Sequence, residues 1–257
     1  MILYFHTGDT GVCRSLTSIA RSIAAASQTD LKAGNFQGSE RGFIDLLMKS
    51  VRHPSIHVCA IALEAIMLIL TPKSDIATHL LPMLQGKAIV PPFLVGLAAH
   101  DECDVDFNEF ERFREHLLSE TLISCYISNR AYYIESCTCA IEEFCSNPDS
   151  ASAQISYQLE AALFCLSAVS IEASKRALLT QASPASQEAA AKACKLRNNE
   201  DIEAKDIAQN SKLHDDNLGR VMHALKNAPV AALSNPLLLS QMCRFIGKVS
   251  KQIIIIN

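Results

Sequence analysis

The sequence predicts an all-α fold in which antiparallel helix pairs stack as an α-solenoid. Glycine and proline are scarce, with 9 of each in 257 residues, and this disfavours the many tight turns of a β architecture. Apolar residues instead recur every three or four positions through most of the chain, which is the period of an amphipathic helix. Helix-stop signals divide these stretches into helical hairpins, and equivalent hairpins are spaced by roughly 40 residues, a period typical of stacked helix pairs.

Residues 9–70 form the first predicted unit, which begins with a helix from Asp9 to Ala26. The apolar residues of this helix recur every three or four positions and define its face: Val12, Leu16, Ile19 and Ile23. Asp9 or Thr10 is the expected N-cap, because a short polar side chain can accept the free N–H groups of a first helical turn. Residues 30–38 contain two glycines and are predicted as a loop.

A helical hairpin completes this first unit. Its first helix starts at Ser39 and carries one apolar stripe: Phe43, Leu46, Leu47 and Val51. The sequence His53-Pro54-Ser55 ends that helix, since proline disfavours the α conformation in the residue before it. The second helix starts at Ser55 and turns apolar residues inward: Ile56, Ala60, Leu63, Ile66, Met67 and Leu70. Two helices joined by so short a turn form an αα-hairpin.

Residues 75–127 are the second predicted unit. Two short helices at 75–85 and 91–100 precede an acidic linker at 101–106. A strong helix then covers 107–127 and carries large apolar residues on one side: Phe110, Phe113, Leu117, Leu118 and Leu122. The spacing predicts that this side faces the core.

The third predicted unit, residues 130–180, combines a helix at 130–145 with a longer helix at 154–180. The helix at 130–145 is also the expected partner of the helix before it. A break at 147–150, Asn-Pro-Asp-Ser, separates the two helices of the unit. The longer helix is predicted to turn these apolar residues inward: Leu159, Ala162, Leu163, Leu166 and Val169.

A polar stretch separates the third unit from the fourth. Residues 183–216 are rich in Ala, Lys, Glu, Asp, Asn and Gln, and they are predicted as a solvated helix or an insertion. The fourth unit, residues 217–257, opens with an amphipathic stretch whose apolar residues are Leu218, Val221, Met222 and Leu225. Asn235 caps the last helix and Pro236 takes its first position, where a missing N–H costs nothing.

Charge and hydropathy limit the classes of partner. The net charge is −4 and no basic block is present, which argues against a direct nucleic-acid partner. The mean hydropathy of +0.15 is what we expect of a solenoid cut at both ends, and the run Ile253–Ile256 suggests a truncated form. No stretch has about 20 uninterrupted apolar residues, so no membrane insertion is predicted.

Ten cysteines are present, and we predict reduced, mostly buried thiols because they lie inside apolar helical patterns. The pair Cys137 and Cys139, together with Cys125 and Cys145, suggests a zinc hypothesis. On a helix, however, residues two apart are separated by about 200°. Cys137 and Cys139 are therefore predicted to point to opposite sides and not to share a metal.

Residues 104–115 imitate a calcium-binding loop. Acids or amides occupy positions one, three and five, and Glu115 occupies position twelve. Glu109, however, stands where the sharp turn requires glycine, and Arg112 stands at a ligand position. Because Phe110 and Phe113 fit the apolar face of a helix, a packing helix is predicted instead.

No catalytic, cofactor-binding or metal-binding residue is predicted. Pro54 separates His53 from His57, so they are expected as a turn histidine and a helix histidine. Glu64 is predicted on the solvent side of its helix. Further acids are predicted as solvated charges: Glu142, Glu143, Asp215 and Asp216. No nucleophile elbow, P-loop, dinucleotide fingerprint or zinc-protease motif is present, and a cysteine- or zinc-dependent enzyme rests on the cysteine count alone.

Three helices carry a family resemblance in a shared order. The first has Phe110, Phe113 and Arg114 followed by Leu117, Glu120 and Leu122. The second is 157–164, Tyr-Gln-Leu-Glu-Ala-Ala-Leu-Phe, with tyrosine where the family has tryptophan. The third is 237–253, with valine and glutamine replacing a tyrosine and a tryptophan. With the His53-Pro54-Ser55 turn, these helices resemble the HEAT repeats of the importin-β superfamily, in its transportin-SR and importin-thirteen branch.

The resemblance implies a HEAT-repeat α-solenoid that works as a nuclear transport receptor and shuttles between nucleus and cytoplasm. Protein cargo and the small GTPase Ran would compete for its concave wall, with nucleoporins as further partners and without catalysis. The match covers the middle of the family's superhelix, so Ran binding is expected only of a longer form. A HEAT scaffold or adaptor for another protein assembly is the alternative.

Overall fold

The computed structural model describes residues 9–33, 39–71, 75–91, 107–146, 153–181, 216–228 and 235–256. Within these ranges the chain forms helices that pack against one another, and no strand occurs. The predicted all-α fold class is therefore confirmed. The chain divides into two compact units, Met1–Ser128 and Asn129–Asn257, and the division falls where the second and third predicted units meet. The finer division into four units stays a prediction.

The helices of the first unit are α1 (Thr10–Ala26), α2 (Gln28–Ala33), α3 (Ser39–Arg52), α4 (Ile56–Ile69), α5 (Asp75–Ala88), α6 (Phe107–Phe113) and α7 (Ser119–Ser128). A five-residue π-helical turn, the π-turn (Arg114–Leu118), joins α6 to α7. The described residues of the second unit form the helices α8 (Arg130–Ser146), α9 (Ala153–Gln181), α10 (216–226) and α11 (Pro236–Ile256).

Helix α4 is the centre of the first unit. It packs against α1, α2 and α3, and it also contacts α6, the π-turn and α7. Its buried residues lie on several sides rather than on one: Val58, Cys59, Ala62, Leu63, Ala65, Ile66 and Ile69. The predicted inward face was right for Leu63 and Ile66 only, because a helix surrounded by neighbours shows no single apolar side.

Helix α1 begins as predicted but packs through a different face. The Asp9 carboxylate accepts hydrogen bonds from the N–H groups of Gly11 at 2.9 Å and Val12 at 3.1 Å, which confirms the N-cap. The buried residues are small or short ones: Cys13, Thr17, Ala20 and Ala24. Small side chains let α1 approach α4 closely. The predicted face was therefore wrong, since Val12, Ile19 and Ile23 are exposed.

Two helix boundaries in the first unit differ from the predicted ones. Helix α2 occupies the start of the predicted loop at 30–38, and residues 34–38 lie outside the described ranges. Helix α5 runs three residues further than predicted, to Ala88, and accommodates Pro82 on its exposed side. The predicted helix at 91–100 and acidic linker at 101–106 lie outside the described residues, apart from Pro91.

The predicted helix at 107–127 is present, but the π-turn interrupts its α-helical period. Phe110, Phe113, Leu118 and Leu122 are buried as predicted, whereas Leu117 is half-buried and Arg114 is buried instead. A π-turn holds one residue more than an α-turn and shifts the residues that follow. The Ser119 hydroxyl donates to the Arg114 carbonyl across this wide turn at 3.1 Å.

In the second unit, α9 packs against both α8 and α11. The α8 and α9 bounds agree with the prediction, and the five residues predicted to face inward from α9 are all buried. The Tyr133 hydroxyl of α8 donates to the Cys165 carbonyl of α9 at 2.8 Å. The predicted pairing of α8 with the helix before it stays a prediction.

Helix α11 is fixed to α9 by polar contacts as well as apolar ones. Gln241 donates to the Ser167 hydroxyl at 3.0 Å, and Lys248 donates to the Ser167 carbonyl at 2.9 Å. The Asn235 side chain accepts from the Leu237 N–H at 2.9 Å, so the predicted N-cap is confirmed. In α10, Val221 and Leu225 are buried as predicted, whereas Met222 is exposed. The predicted polar insertion lies outside the described residues except for Asp216.

Candidate functional site

A dense polar cluster joins α10 to α8. Its members, the Arg220 cluster, are Glu135, Cys139, Glu142, Asn217 and Arg220. The three α8 residues are spaced i, i+4 and i+7, which places them on one helix face. The Arg220 guanidinium donates to both Glu135 oxygens at 2.9 Å, and to the two Glu142 oxygens at 2.9 and 2.6 Å. It also donates to the Asn217 side-chain oxygen at 2.8 Å.

These bonds fix the charge states in the Arg220 cluster. Hydrogen bonds from Arg220 lower the pKa of both Glu135 and Glu142, and in return the bonds to Glu142 and Glu135 raise the pKa of Arg220. The Cys139 thiol donates to Glu135 at 3.2 Å, and this bond raises the pKa of Cys139. The cluster therefore holds two ionised carboxylates on one cation and keeps its thiol protonated.

A second polar cluster lies at the turn between α3 and α4. Its members, the turn cluster, are His53, Ser55, Cys59 and Lys87. The Lys87 ammonium of α5 donates to the His53 carbonyl at 2.5 Å, and His53 Nδ1 accepts from the Ser55 N–H at 3.1 Å. Lys87 thus connects α5 to the α3–α4 turn. Ser55 precedes α4 but makes no side-chain capping bond.

Burial governs the titration of the turn cluster. It lowers the pKa of Lys87 and raises the pKa of Cys59 to about 11. Burial and, secondly, the nearby Lys87 charge lower the pKa of His53. A neutral His53 is also what the geometry requires, because an imidazole nitrogen that accepts a hydrogen bond carries no proton.

The two histidines lie as predicted, one in a turn and one on a helix. His57 of α4 is 3.5 Å from a Glu109 oxygen of α6, so it links two helices of the first unit. Glu109 is the residue that blocks the calcium-loop interpretation, and its neighbours Phe110 and Phe113 are buried. The packing-helix interpretation is confirmed from Phe107 onward, and residues 104–106 lie outside the described ranges.

The cysteines of the zinc hypothesis are spread over different environments. Cys137 is fully buried and Cys139 is exposed, which confirms that they point to opposite sides of α8. Burial raises the pKa of Cys125 to about 12 and that of Cys145 to about 11. In the part of the chain that the structure describes, no three or more His, Cys, Asp or Glu residues are grouped to hold a metal ion.

The predicted solvated acids have two different outcomes. Glu64 lies on an accessible side of α4, as predicted, and pairs with Arg21 of α1 at 2.5 Å. Glu143 and Asp216 are exposed, and Asp215 lies outside the described residues. Glu142 is 36% exposed and ionised, as predicted, but Arg220 also binds both of its oxygens, which the prediction did not include.

Exposed aliphatic side chains are the other surface feature. On α1 they form a stripe, with Val12 36%, Ile19 57% and Ile23 43% exposed. In the second unit, Ile171 is 62% exposed on α9, and Leu239 and Ile246 are exposed on α11. Large contiguous apolar patches mark interaction sites, whereas apolar residues exposed singly are normal on a protein surface.

Comparison with models of protein families gives no match, and neither curated proteins nor solved structures provide a similar chain. Among the described helices, none is long and apolar enough to cross a membrane.

Sequence reasoning missed Arg220 and Lys87, the two cations on which the polar clusters depend. The spacing of Glu135, Cys139 and Glu142 does signal a polar face on α8. Their partner lies 78 residues or more further along the chain, and no local pattern connects the two. Lys87 was hidden in the same way, because its acceptor is a backbone carbonyl 34 residues away.

Proposed function

We propose that this chain is a helical-repeat protein that binds other proteins. In the finer form of the proposal it is a HEAT-repeat solenoid segment of an importin-β-like nuclear transport receptor, of the transportin-SR and importin-thirteen kind. The observation that supports it is that helices in both units contact their hairpin partner and also a helix of the next hairpin. Binding, rather than catalysis, is what such a surface offers.

In the first unit, hairpin helices contact their counterparts in the neighbouring hairpins. Helices α3 and α4 form a hairpin, and α4 also contacts α1 and the segment from α6 to α7. Helix α3 contacts α5, which in turn packs against α7. Stacked helix pairs produce this pattern, because each helix touches its own partner and the equivalent helix of the next pair.

The described residues of the second unit show part of this order. Helices α8 and α9 pack together, and α9 also packs against α11. Helix α10 is joined to α8 by the Arg220 cluster. The contacts of α8 with α10 and of α9 with α11 match those of α3 with α5 and of α4 with α7 in the first unit, whereas the close packing of α1 on α4 does not follow this order.

The proposed ligands are protein cargo and, in a longer form of the chain, Ran in its GTP state, with nucleoporins encountered during shuttling between cytoplasm and nucleus. This rests on the helix resemblance at 110–122, 157–164 and 237–253. Affinity on such surfaces comes from many dispersed contacts, so no short motif would mark the binding residues.

The test is capture of cargo by the immobilised chain and by a version extended with adjacent coding sequence, followed by Ran-GTP. We expect proteins retained by the extended version to be released by Ran-GTP and not by Ran-GDP. Heat-unfolded chain serves as the control for nonspecific retention. Stable capture that is insensitive to GTP would contradict the transport function and favour a scaffold of another protein assembly.

The fold part of the proposal has its own measurement. Small-angle X-ray scattering distinguishes an elongated solenoid from a globular protein of 257 residues, for which a radius of gyration of about 18 Å is expected. A value near that figure would count against a solenoid whatever the cargo experiment shows.

A further inference from the structure

Lys87 of α5 is a half-buried cation that has no negative partner among the described residues. Its ammonium donates to the His53 carbonyl at 2.5 Å. No carboxylate in the described part of the chain comes within ion-pairing distance of it. A cation that leaves water is unfavourable unless an anion or several hydrogen bonds replace the solvent. Because one carbonyl is a poor replacement, the site disfavours the charged form of Lys87.

The side chains around Lys87 supply no countercharge. Cys59 is fully buried, and burial raises its pKa to about 11, so the thiol stays protonated at neutral pH. His53 is buried and neutral, as its accepting nitrogen requires. Burial is the main influence on Lys87 and lowers its pKa from the ordinary 10.5. A lysine desolvated in this way has more of its amine in the neutral, nucleophilic form.

The hydrogen bond to His53 positions this amine and leaves it able to react. A neutral amine still has N–H groups to donate, so it can keep its bond to the His53 carbonyl while its lone pair points elsewhere. An amide formed on the same nitrogen also retains one N–H for that carbonyl. Lys87 can therefore be modified while α5 stays joined to the α3–α4 turn.

We propose that Lys87 is an acylation site, at which the amine takes an acyl group from a small thioester. The ammonium first releases a proton to water. The neutral nitrogen then attacks the thioester carbonyl carbon, the C–N bond forms and the C–S bond breaks. One proton of the nitrogen passes to the departing thiolate, which leaves as a free thiol. The product is an uncharged amide, so the positive charge that opposes protonation of His53 is removed.

Competitive labelling of the wild-type chain tests the proposal. A limiting amount of N,S-diacetylcysteamine, a small acetyl thioester, is added at pH 7, and mass spectrometry gives the acetylation rate of each lysine. Lys49 of α3 and Lys226 of α10 are the controls, since both are exposed. Although Lys87 is less accessible, it should react about threefold faster or more than either, because more of its amine is neutral. Equal or slower labelling of Lys87 would overturn the proposal.

The pH dependence distinguishes a desolvated amine from an amine that is only accessible. The advantage of Lys87 over Lys49 should be largest near neutral pH and disappear toward about pH 11, where the control amines are neutral as well. It should also disappear in urea, which unfolds the chain and exposes every lysine. An advantage that persists at all pH values or in urea would overturn desolvation as its cause. Lys87→Arg, which keeps the charge without a nucleophilic amine, should abolish labelling at position 87 and leave the rate at Lys226 unchanged.

Discussion

Arg220 connects α10 to α8. One guanidinium satisfies the carboxylates of Glu135 and Glu142 in a forked geometry that lysine cannot reproduce. The three side chains are 38%, 46% and 36% exposed for Arg220, Glu135 and Glu142. Water and salt therefore screen the ion pairs, and their net contribution is modest despite the short distances.

We predict that Arg220→Met lowers the free energy of unfolding by about 1 kcal/mol, after allowance for solvent screening. The loss arises because two neighbouring carboxylates are left without their shared cation. Lys226→Met, which removes an exposed cation from the same helix, is the control and should have little effect. Urea unfolding measures both variants, provided that the slope of unfolding free energy against urea concentration is the same for all proteins compared. Equal losses of stability in the two variants would refute a specific role for Arg220.

The difference in stability between the wild-type chain and Arg220→Met should depend on pH. The pKa of Glu135 and that of Glu142 lie below the ordinary 4.5 in the folded state. A lowered pKa stabilises the folded state above the unfolded value, and that stabilisation is lost as pH falls through the folded pKa. The stability gap between wild type and Arg220→Met should thus be constant above about pH 5 and close in stronger acid. A gap that persists in acid would mean that Arg220 acts through packing.

Thr138 is a position at which a substitution is expected to increase stability. Its side chain is fully buried in α8 and its hydroxyl oxygen makes no hydrogen bond. Thr138→Val keeps the shape and removes the unsatisfied group, so it should stabilise the chain by about 1 kcal/mol. Thr121 is as deeply buried but donates to the Leu117 carbonyl at 2.8 Å, and Thr121→Val should not stabilise. The test compares the thermal unfolding midpoints of the two variants. Similar shifts of Tm in both would show that the unsatisfied hydroxyl of Thr138 has no effect on stability.

At the scale of elements, the α3–α4 turn is held by a histidine that must be neutral. His53 accepts the Ser55 N–H through Nδ1, and Lys87 binds the carbonyl of the same residue. Protonation would convert the accepting nitrogen into a donor that faces another donor. The burial of the turn and the nearby Lys87 charge both oppose that protonation.

We therefore predict that acid weakens the first unit through this turn. The unfolded chain binds a proton near the ordinary histidine pKa of 6.5, while the pKa of folded His53 is lower. Stability is then complete above about pH 6.5 and declines as pH falls toward the folded pKa. His53→Gln should remove this slope, whereas His79→Gln, at an exposed position of α5, should retain it. Urea midpoints at several pH values measure the slope, and an unchanged slope in His53→Gln would contradict the assignment.

Element positions were predicted from the sequence far better than element faces. Caps such as Asp9 and Asn235, and the breaks around Pro54, depend on local chemistry and were correct. The inward face of α1 depends on which neighbouring helix packs closest. Helix α4 packs on the side with Cys13 and Ala20 rather than on the more hydrophobic side with Ile19 and Ile23. The π-turn displaced Leu117 for a similar reason, since no residue pattern announces one extra residue in a turn. The Arg220 cluster could not be predicted from local sequence, because its ion pairs join residues at least 78 positions apart in the chain.

At the scale of the whole molecule, each unit contains its own buried core. In the first unit it includes Leu47, Leu63, Leu84 and Leu122, and in the second Tyr133, Ile141, Leu159 and Leu163. A compact unit with its own hydrophobic core can in principle fold alone. The two units can therefore be expected to fold separately.

We predict that residues 1–128 and 129–257, produced as separate proteins, each give a helical circular dichroism spectrum and a cooperative urea transition. Thr138→Val should raise the midpoint of the second protein by the amount it shows in the full chain. Loss of cooperativity in both proteins would mean that the division into units has no energetic counterpart.

The distribution of cysteines gives the chain a set of internal probes. Cys13, Cys59 and Cys125 are buried in the first unit, and Cys137, Cys145 and Cys165 in the second. A thiol reagent can modify a buried cysteine only when the surrounding helices open, so each labelling rate reports a local opening equilibrium. Exposed Cys243 supplies the rate for an accessible thiol. Mass spectrometry of timed labelling would therefore map opening helix by helix without introducing any probe.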